Sequence, residues 1–147
     1  MPIVWRDSMS VGNTLIDNDH RYLFCLVNTV ELALRLQEHA DVIQAAVEQL
    51  ALYTRDHFAR EERLQIKVMY PGYVDHKAEH QAILERVQGL QAQIAARAGT
   101  PAGDASAPPA LDPAEIAALL RHWVLGHVLK SDLDLRSYLS RYPASYA

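Results

Sequence analysis

The stretch HFAREERLQIKVMYPGYVDHKAEH, residues 57–80, sets His57 four residues before Glu61 and, beyond a break at YPG (70–72), His76 four residues before His80. Residues four apart are neighbours on one face of an α-helix, so each pair projects from a single face. Both pairs continue an apolar stripe. Ala46, Leu50, Tyr53, Leu64 and Val68 share the side of His57 and Glu61, and Ile83, Val87, Leu90 and Ile94 share the side of His76 and His80. The proline between them lacks a backbone donor and disfavours helix in the residue before it, which predicts a tight turn joining two antiparallel helices. Ionisable groups on the core-facing side of consecutive helices are what any fold for this chain has to explain.

The same reading extends outward in both directions. Upstream, Asp17 is a plausible N-cap for a helix that carries His20, Leu23, Phe24, Val27, Glu31 and Leu34 on one side. Glu31 is eleven residues beyond His20, roughly 16 Å along the axis, and is expected near the far end of the fold rather than beside His20. Residues 1–16 have no helical period and read as an arm whose Trp5 packs. Downstream, Gly99 is a natural stop for the third helix, and GTPAGDASAPPALDP (99–113) reads as an extended, mobile connection, a tolerated surface insertion. Asp112, Pro113 and Glu115 combine an N-cap, a first-turn proline and a capping-box acid to start a fourth helix through AEIAALLRHWVLGHVLKSDL. No strand pattern intervenes, and short connections favour antiparallel neighbours. The expected fold is all-α: an up-and-down antiparallel four-helix bundle with an N-terminal arm, forming one domain over residues 1–147.

Composition narrows the function classes. At 147 residues with 50% hydrophobic content, the chain is the size of one domain with a real core. A net charge of -4 with scattered Lys and Arg excludes a basic footprint for nucleic acid. No apolar run approaches the roughly 20 residues of a membrane span, and MPIVWRDSMS has neither a basic nor an apolar leader segment, so a cytoplasmic protein is expected. The lone Cys25 cannot form an internal disulfide and is expected to pack as a small, inert hydrophobe.

In such a bundle the four stripes converge, so His20, His57, Glu61, His76, His80, His127 and Asp132 can meet at one level. Burying so many polar groups without partners costs on the order of 1–3 kcal/mol each, and a bound metal removes that cost. Imidazole with carboxylate suits Fe, Zn, Cu or Ni, and a single cysteine argues against a thiolate zinc site. Seven ligands are too many for one ion but suit two if Glu61 and Asp132 each bridge with both oxygens. With a solvent-derived oxygen as a further bridge, two six-coordinate ions keep a single open position, room for a molecule as small as O2. The spacings are His-x3-Glu, His-x3-His and His-x4-Asp, and no Glu-x-x-His of the ferritin-like type occurs. Five residues turn an ideal helix by about 140° from registry, so Asp132 requires a loosened helix end after His127.

VWRDSMSVGNTLIDNDHRYLF, HFAREERL, YPGYVDHKAEH and HWVLGHVLKSDLDLRSY together resemble the hemerythrins, specifically single-domain bacteriohemerythrins, over nearly the whole chain. The resemblance implies a non-haem, oxygen-bridged di-iron centre that binds dioxygen reversibly for storage, delivery or sensing, with no turnover of its own. It places His76, His80 and His127 on one iron, His20 and His57 on the other, and Glu61 and Asp132 as bridges. A client requiring the oxygen would be a separate protein. The alternative is a di-iron redox protein acting on peroxide, nitric oxide or ferrous iron, and a third reading is a metal-stabilised structural bundle. Many bacterial members carry methionine where this chain has Gln65. The ordinary expectation is a solvent-facing or satisfied glutamine; the sharper one is a polar group near the centre that changes the autoxidation rate. His39, His122, Trp5 and Trp123 are assigned no ligand or redox role, Glu62 reads as a solvated acid, and Tyr70, Tyr73, Tyr138 and Tyr142 read as packing residues.

Overall fold

Helix α1 spans Thr14–Arg35, α2 Ala40–Lys67, α3 Tyr73–Ala98 and α4 Pro113–Gly126; a π-helical segment, His127–Asp132, a 3₁₀ turn, Leu133–Leu135, and a short α5, Arg136–Leu139, follow. These come from a computed structural model that describes residues 1–100, 105–106 and 112–147. Helix α1 packs against α2 and α4, and α2 packs against α3. The result is the expected all-α four-helix bundle, with no strand among the described residues. The connection expected at 99–113 falls largely outside the described residues. No described helix is long and apolar enough to cross a membrane.

Helix α1 begins one turn earlier than the Asp17 reading. Asn13 is the N-cap, its side chain accepting from the Ile16 N–H. Asp17 is buried inside the helix, where it accepts from the Val11 N–H at 2.8 Å and the Ser10 hydroxyl at 2.6 Å and so clamps the arm to α1. Trp5 packs on Phe24, with the Arg21 guanidinium 4.6 Å from the centre of its ring. Cys25 is exposed rather than packed.

Helices α1 and α2 both end through a left-handed residue that is not glycine. Gln37 and Met69 have φ of 52°, and the next N–H in each case bonds back to the carbonyl five residues earlier: Glu38 to Ala33 and Tyr70 to Gln65. The α2–α3 turn therefore starts at Met69, before the YPG, and Pro71 lies inside a turn already made. Gly99 caps α3 with right-handed angles, so its left-handed freedom is not used. Asp112 caps α4 by accepting from the Ala114 N–H, with Pro113 in the first turn as read.

The core divides in two. One cluster joins Leu23, Val27, Leu50, Val87, Leu120 and Trp123 with their neighbours; the other joins Val11, Ile16, Leu64, Val68, Leu135 and Leu139. Along α1, α2 and the fourth helix the polar residues fall between these clusters, so apolar packing closes the bundle on both sides of them. Glu31 lies toward the far end, buried and ion-paired with Arg121, whose Nη2 also donates to the Met1 carbonyl.

Candidate metal centre

All seven residues singled out by spacing are buried and meet at one level. Their ligand atoms form two groups, each with atoms within 4.8 Å of one another: His76, His80 and His127 with Glu61 and Asp132, and His20 and His57 with the same two carboxylates. The groups share the acids and divide the imidazoles three to two. Glu61 turns Oε1 to His76 Nε2 (2.8 Å) and His80 Nε2 (3.5 Å), and Oε2 to His57 (3.5 Å) and His20 (3.8 Å). Asp132 turns Oδ1 to His76 (3.1 Å) and His127 (3.0 Å), and Oδ2 to His20 (3.0 Å). Each acid thus offers one oxygen to each imidazole set.

The His-x4-Asp spacing is resolved by the backbone. Residues 127–132 form a π-helix, whose wider turn brings positions five apart into line, where an α-helix would set them about 140° apart from registry. This is the loosened helix end that Asp132 requires.

Whether these groups suit a metal can be tested on their unmet polar atoms. The Nε2 of His20, His57, His76, His80 and His127, the Oε2 of Glu61 and both oxygens of Asp132 are buried without a hydrogen-bond partner. Several nitrogens stand near 3 Å from oxygens, but none is aligned as a hydrogen bond. Buried lone pairs converging in this way suit a cation that accepts donation from all of them. Without one, protons substitute. Burial pulls the His20 and His76 imidazoles down, yet the adjoining Asp132 and Glu61 outweigh it, raising His20 to about 9 and His76 to about 10. Burial and Asp132 push the Glu61 carboxyl up, but the surrounding imidazoles hold it well below the ordinary range; Asp132 is held low in the same way. Burial dominates for His57 and lowers it.

Three acids escaped the sequence reading. Behind His57, Asp19 Oδ2 lies 3.2 Å from Nδ1; behind His80, Glu62 Oε1 lies 3.0 Å from Nδ1; behind His127, Glu79 Oε2 lies 3.2 Å from Nδ1. An ionised carboxylate only accepts, so each fixes the proton on Nδ1 and leaves Nε2 as a lone pair facing the centre. Asp19 also accepts from the Tyr53 hydroxyl at 2.7 Å and from Arg60 Nε at 2.8 Å, and Glu79 from the Ser131 hydroxyl. Asp19 and Glu79 each precede a ligand-set histidine and Glu62 follows Glu61, so each acid is rotated about 100° from the centre, toward the next helix. Adjacency to a centre-facing residue is the signal that finds them, and it corrects the reading of Glu62 as a solvated acid. His20 differs, since its Nδ1 has no partner.

Gln65 is buried rather than solvent-facing, and its Nε2 donates to Glu61 Oε1 at 2.8 Å. An apolar cavity of about 20 Å³ borders the centre, lined by His57, Phe58, Leu23, Trp123 and His127 among others. Phe58 stacks on His80 with ring centres 3.7 Å apart. His122 is exposed and His39 is the N-cap of α2; neither belongs to the ligand groups. Trp123 is packed in the core.

Residues 11–139 match the family model described as the hemerythrin HHE cation binding domain. A bacteriohemerythrin of Pseudomonas paraeruginosa is 30% identical over 130 residues, covering 88% of this chain and 76% of its own. A myohemerythrin of Riftia pachyptila is 28% identical over 139 residues, covering 94% of each chain, and a hemerythrin-like protein of Naegleria gruberi is 25% identical over 138 residues, again covering 94% of each.

Proposed function

We propose, from the premise that this chain belongs to the hemerythrin family, that its buried ligand set holds two iron ions and binds dioxygen reversibly in the cytoplasm, without turnover, for storage, delivery or sensing. The observation that carries the reading is the shared pair of carboxylates: Glu61 and Asp132 each direct one oxygen to a set of three imidazoles and the other to a set of two. The three-imidazole set would hold one ion and the two-imidazole set the other, so the side of His20 and His57 would offer its ion fewer protein nitrogens. Iron supplies the redox chemistry when bound.

The chain's own contribution is to hold, orient and dry the site. Asp19, Glu62 and Glu79 keep three imidazoles in the ligating tautomer. Leu23, Phe58 and Trp123 give the neighbouring cavity an apolar wall that suits a small uncharged molecule and disfavours water and ions.

The test is to load the protein with Fe²⁺ without air, add O2 and then remove it. A visible charge-transfer band that appears with O2 and disappears on its removal is the expected result. Irreversible oxidation with product formation would point instead to a di-iron redox protein acting on peroxide, nitric oxide or ferrous iron, and failure to take up iron would leave a structural bundle.

A further inference from the structure

We propose that Gln65 is a positioning residue that evens out the two halves of the metal centre by weakening the Glu61 oxygen facing the three-imidazole half; this rests on the two-metal reading above. Gln65 lies one turn after Glu61 on α2 and is almost wholly inaccessible to solvent. Its Nε2 donates to Glu61 Oε1 at 2.8 Å. The amide orientation follows from chemistry: an ionised carboxylate can only accept, so the NH2 end must face Glu61, which leaves the Gln65 carbonyl buried without a donor. A core glutamine with one end unmet is retained at a cost, and the end that is met touches a single atom of the centre.

That atom is the one directed at His76 and His80, whereas Oε2, directed at His20 and His57, receives no hydrogen bond. A donated N–H draws charge from the oxygen that accepts it, so Oε1 becomes the poorer metal donor of the two. The half with three imidazoles has the greater nitrogen donation, and the weakened oxygen falls on that half. The hydrogen bond therefore narrows the difference in metal affinity between halves that their imidazole numbers would otherwise set far apart.

The test compares wild type with Gln65→Met and Gln65→Leu, which have similar volume and no N–H. Stepwise Zn²⁺ affinities are measured by competition with a chromophoric chelator, with no dependence on oxygen chemistry. The ratio of first to second affinity is expected to widen in both variants by about tenfold, the three-imidazole half gaining affinity on the scale of one hydrogen bond released from a charged oxygen. Two ions bound with an unchanged ratio would overturn the role of Gln65 while leaving the two-metal reading intact; fewer than two ions bound by wild type would overturn that reading itself. A second measurement needs no variant. In the wild-type protein loaded with Zn²⁺, the side-chain amide protons of Gln65 are expected to be shifted downfield and protected from solvent exchange by NMR, and rapid exchange would overturn the proposal even if the variants failed to fold.

Discussion

Asp19 of α1 stands behind His57 of α2, Oδ2 to Nδ1 at 3.2 Å, and the same relation repeats around the bundle from Glu62 of α2 to His80 of α3 and from Glu79 of α3 to His127 at the end of α4. Each helix orients an imidazole on the next. The circuit stays open at His20, whose Nδ1 has no partner, so the two-imidazole half is oriented through Asp19 alone. Asp19→Asn can turn an amide N–H toward Nδ1, moving the imidazole proton to Nε2 where it blocks ligation. Metal affinity in that half should fall roughly 10–100-fold. Chelator-driven Zn²⁺ release should show one of two phases accelerated in Asp19→Asn and the other in Glu79→Gln; equal acceleration of both phases by each variant would contradict the assignment.

His127 and Asp132 share a face only because the helix widens between them. A π turn is in effect one residue added to an α-helix, so deleting the exposed Lys130 should restore an ordinary turn with Leu135 and Leu139 still in register. Two metals per chain should be retained. Inserting an alanine at the same point should swing Asp132 by about 100° and leave fewer than two. Metal analysis after gel filtration decides, and loss of metal in the deletion alone would refute the alignment argument.

Acidity and metal loading are linked through the imidazoles. In the metal-free protein His20 is raised to about 9 and His76 to about 10, both above the ordinary 6.5. Their contribution to stability is fully present below the ordinary value and lost as pH rises through about 9 and about 10, so Tm of the metal-free protein should fall between neutral pH and pH 10. Uptake of metal at neutral pH must expel these protons, so apparent affinity should rise with pH. Calorimetric titration in two buffers of differing ionisation heat should detect the release; a heat independent of buffer would count against it.

The far end of the bundle should be separable from the centre. Arg121 pairs with Glu31, which is buried and roughly 16 Å along α1 from His20. Arg121→Ala leaves that carboxylate without its cation, and because the arginine is partly exposed the cost should be about 1–2 kcal/mol, a fall in Tm of several degrees. Metal content should not change. A thermal melt together with metal analysis checks both halves of the expectation.

The sequence made some of this legible and hid the rest for a physical reason. Helical period identifies which residues face the bundle axis, and His20, His57, Glu61, His76, His80 and His127 all lie on that face, with Asp132 needing only the irregular turn that its spacing required. Period does not say what occupies the seams between helices. Glu62 lies about 100° from Glu61 and would be solvated if α3 were absent; the register of α3 brings His80 against it. Gln65 lies on the centre-facing side, and only its polarity suggested solvent. Asp17 and Asn13 are both good capping residues, and the choice between them is made by the arm, whose Val11 N–H and Ser10 hydroxyl take up the Asp17 carboxylate. Cys25, flanked by buried Phe24 and partly buried Leu26, shows the same limit in reverse.

The small apolar cavity against His57 and His127 has a further consequence. A hollow walled by leucine, phenylalanine and tryptophan fills by partition, as oil takes up a dissolved gas, and its occupancy tracks the ambient pressure of that gas more than the salt or solutes around the protein. Any uncharged diatomic obeys the same partition, so under the proposed function discrimination between one gas and another would rest with the metals that the imidazoles hold and not with the wall.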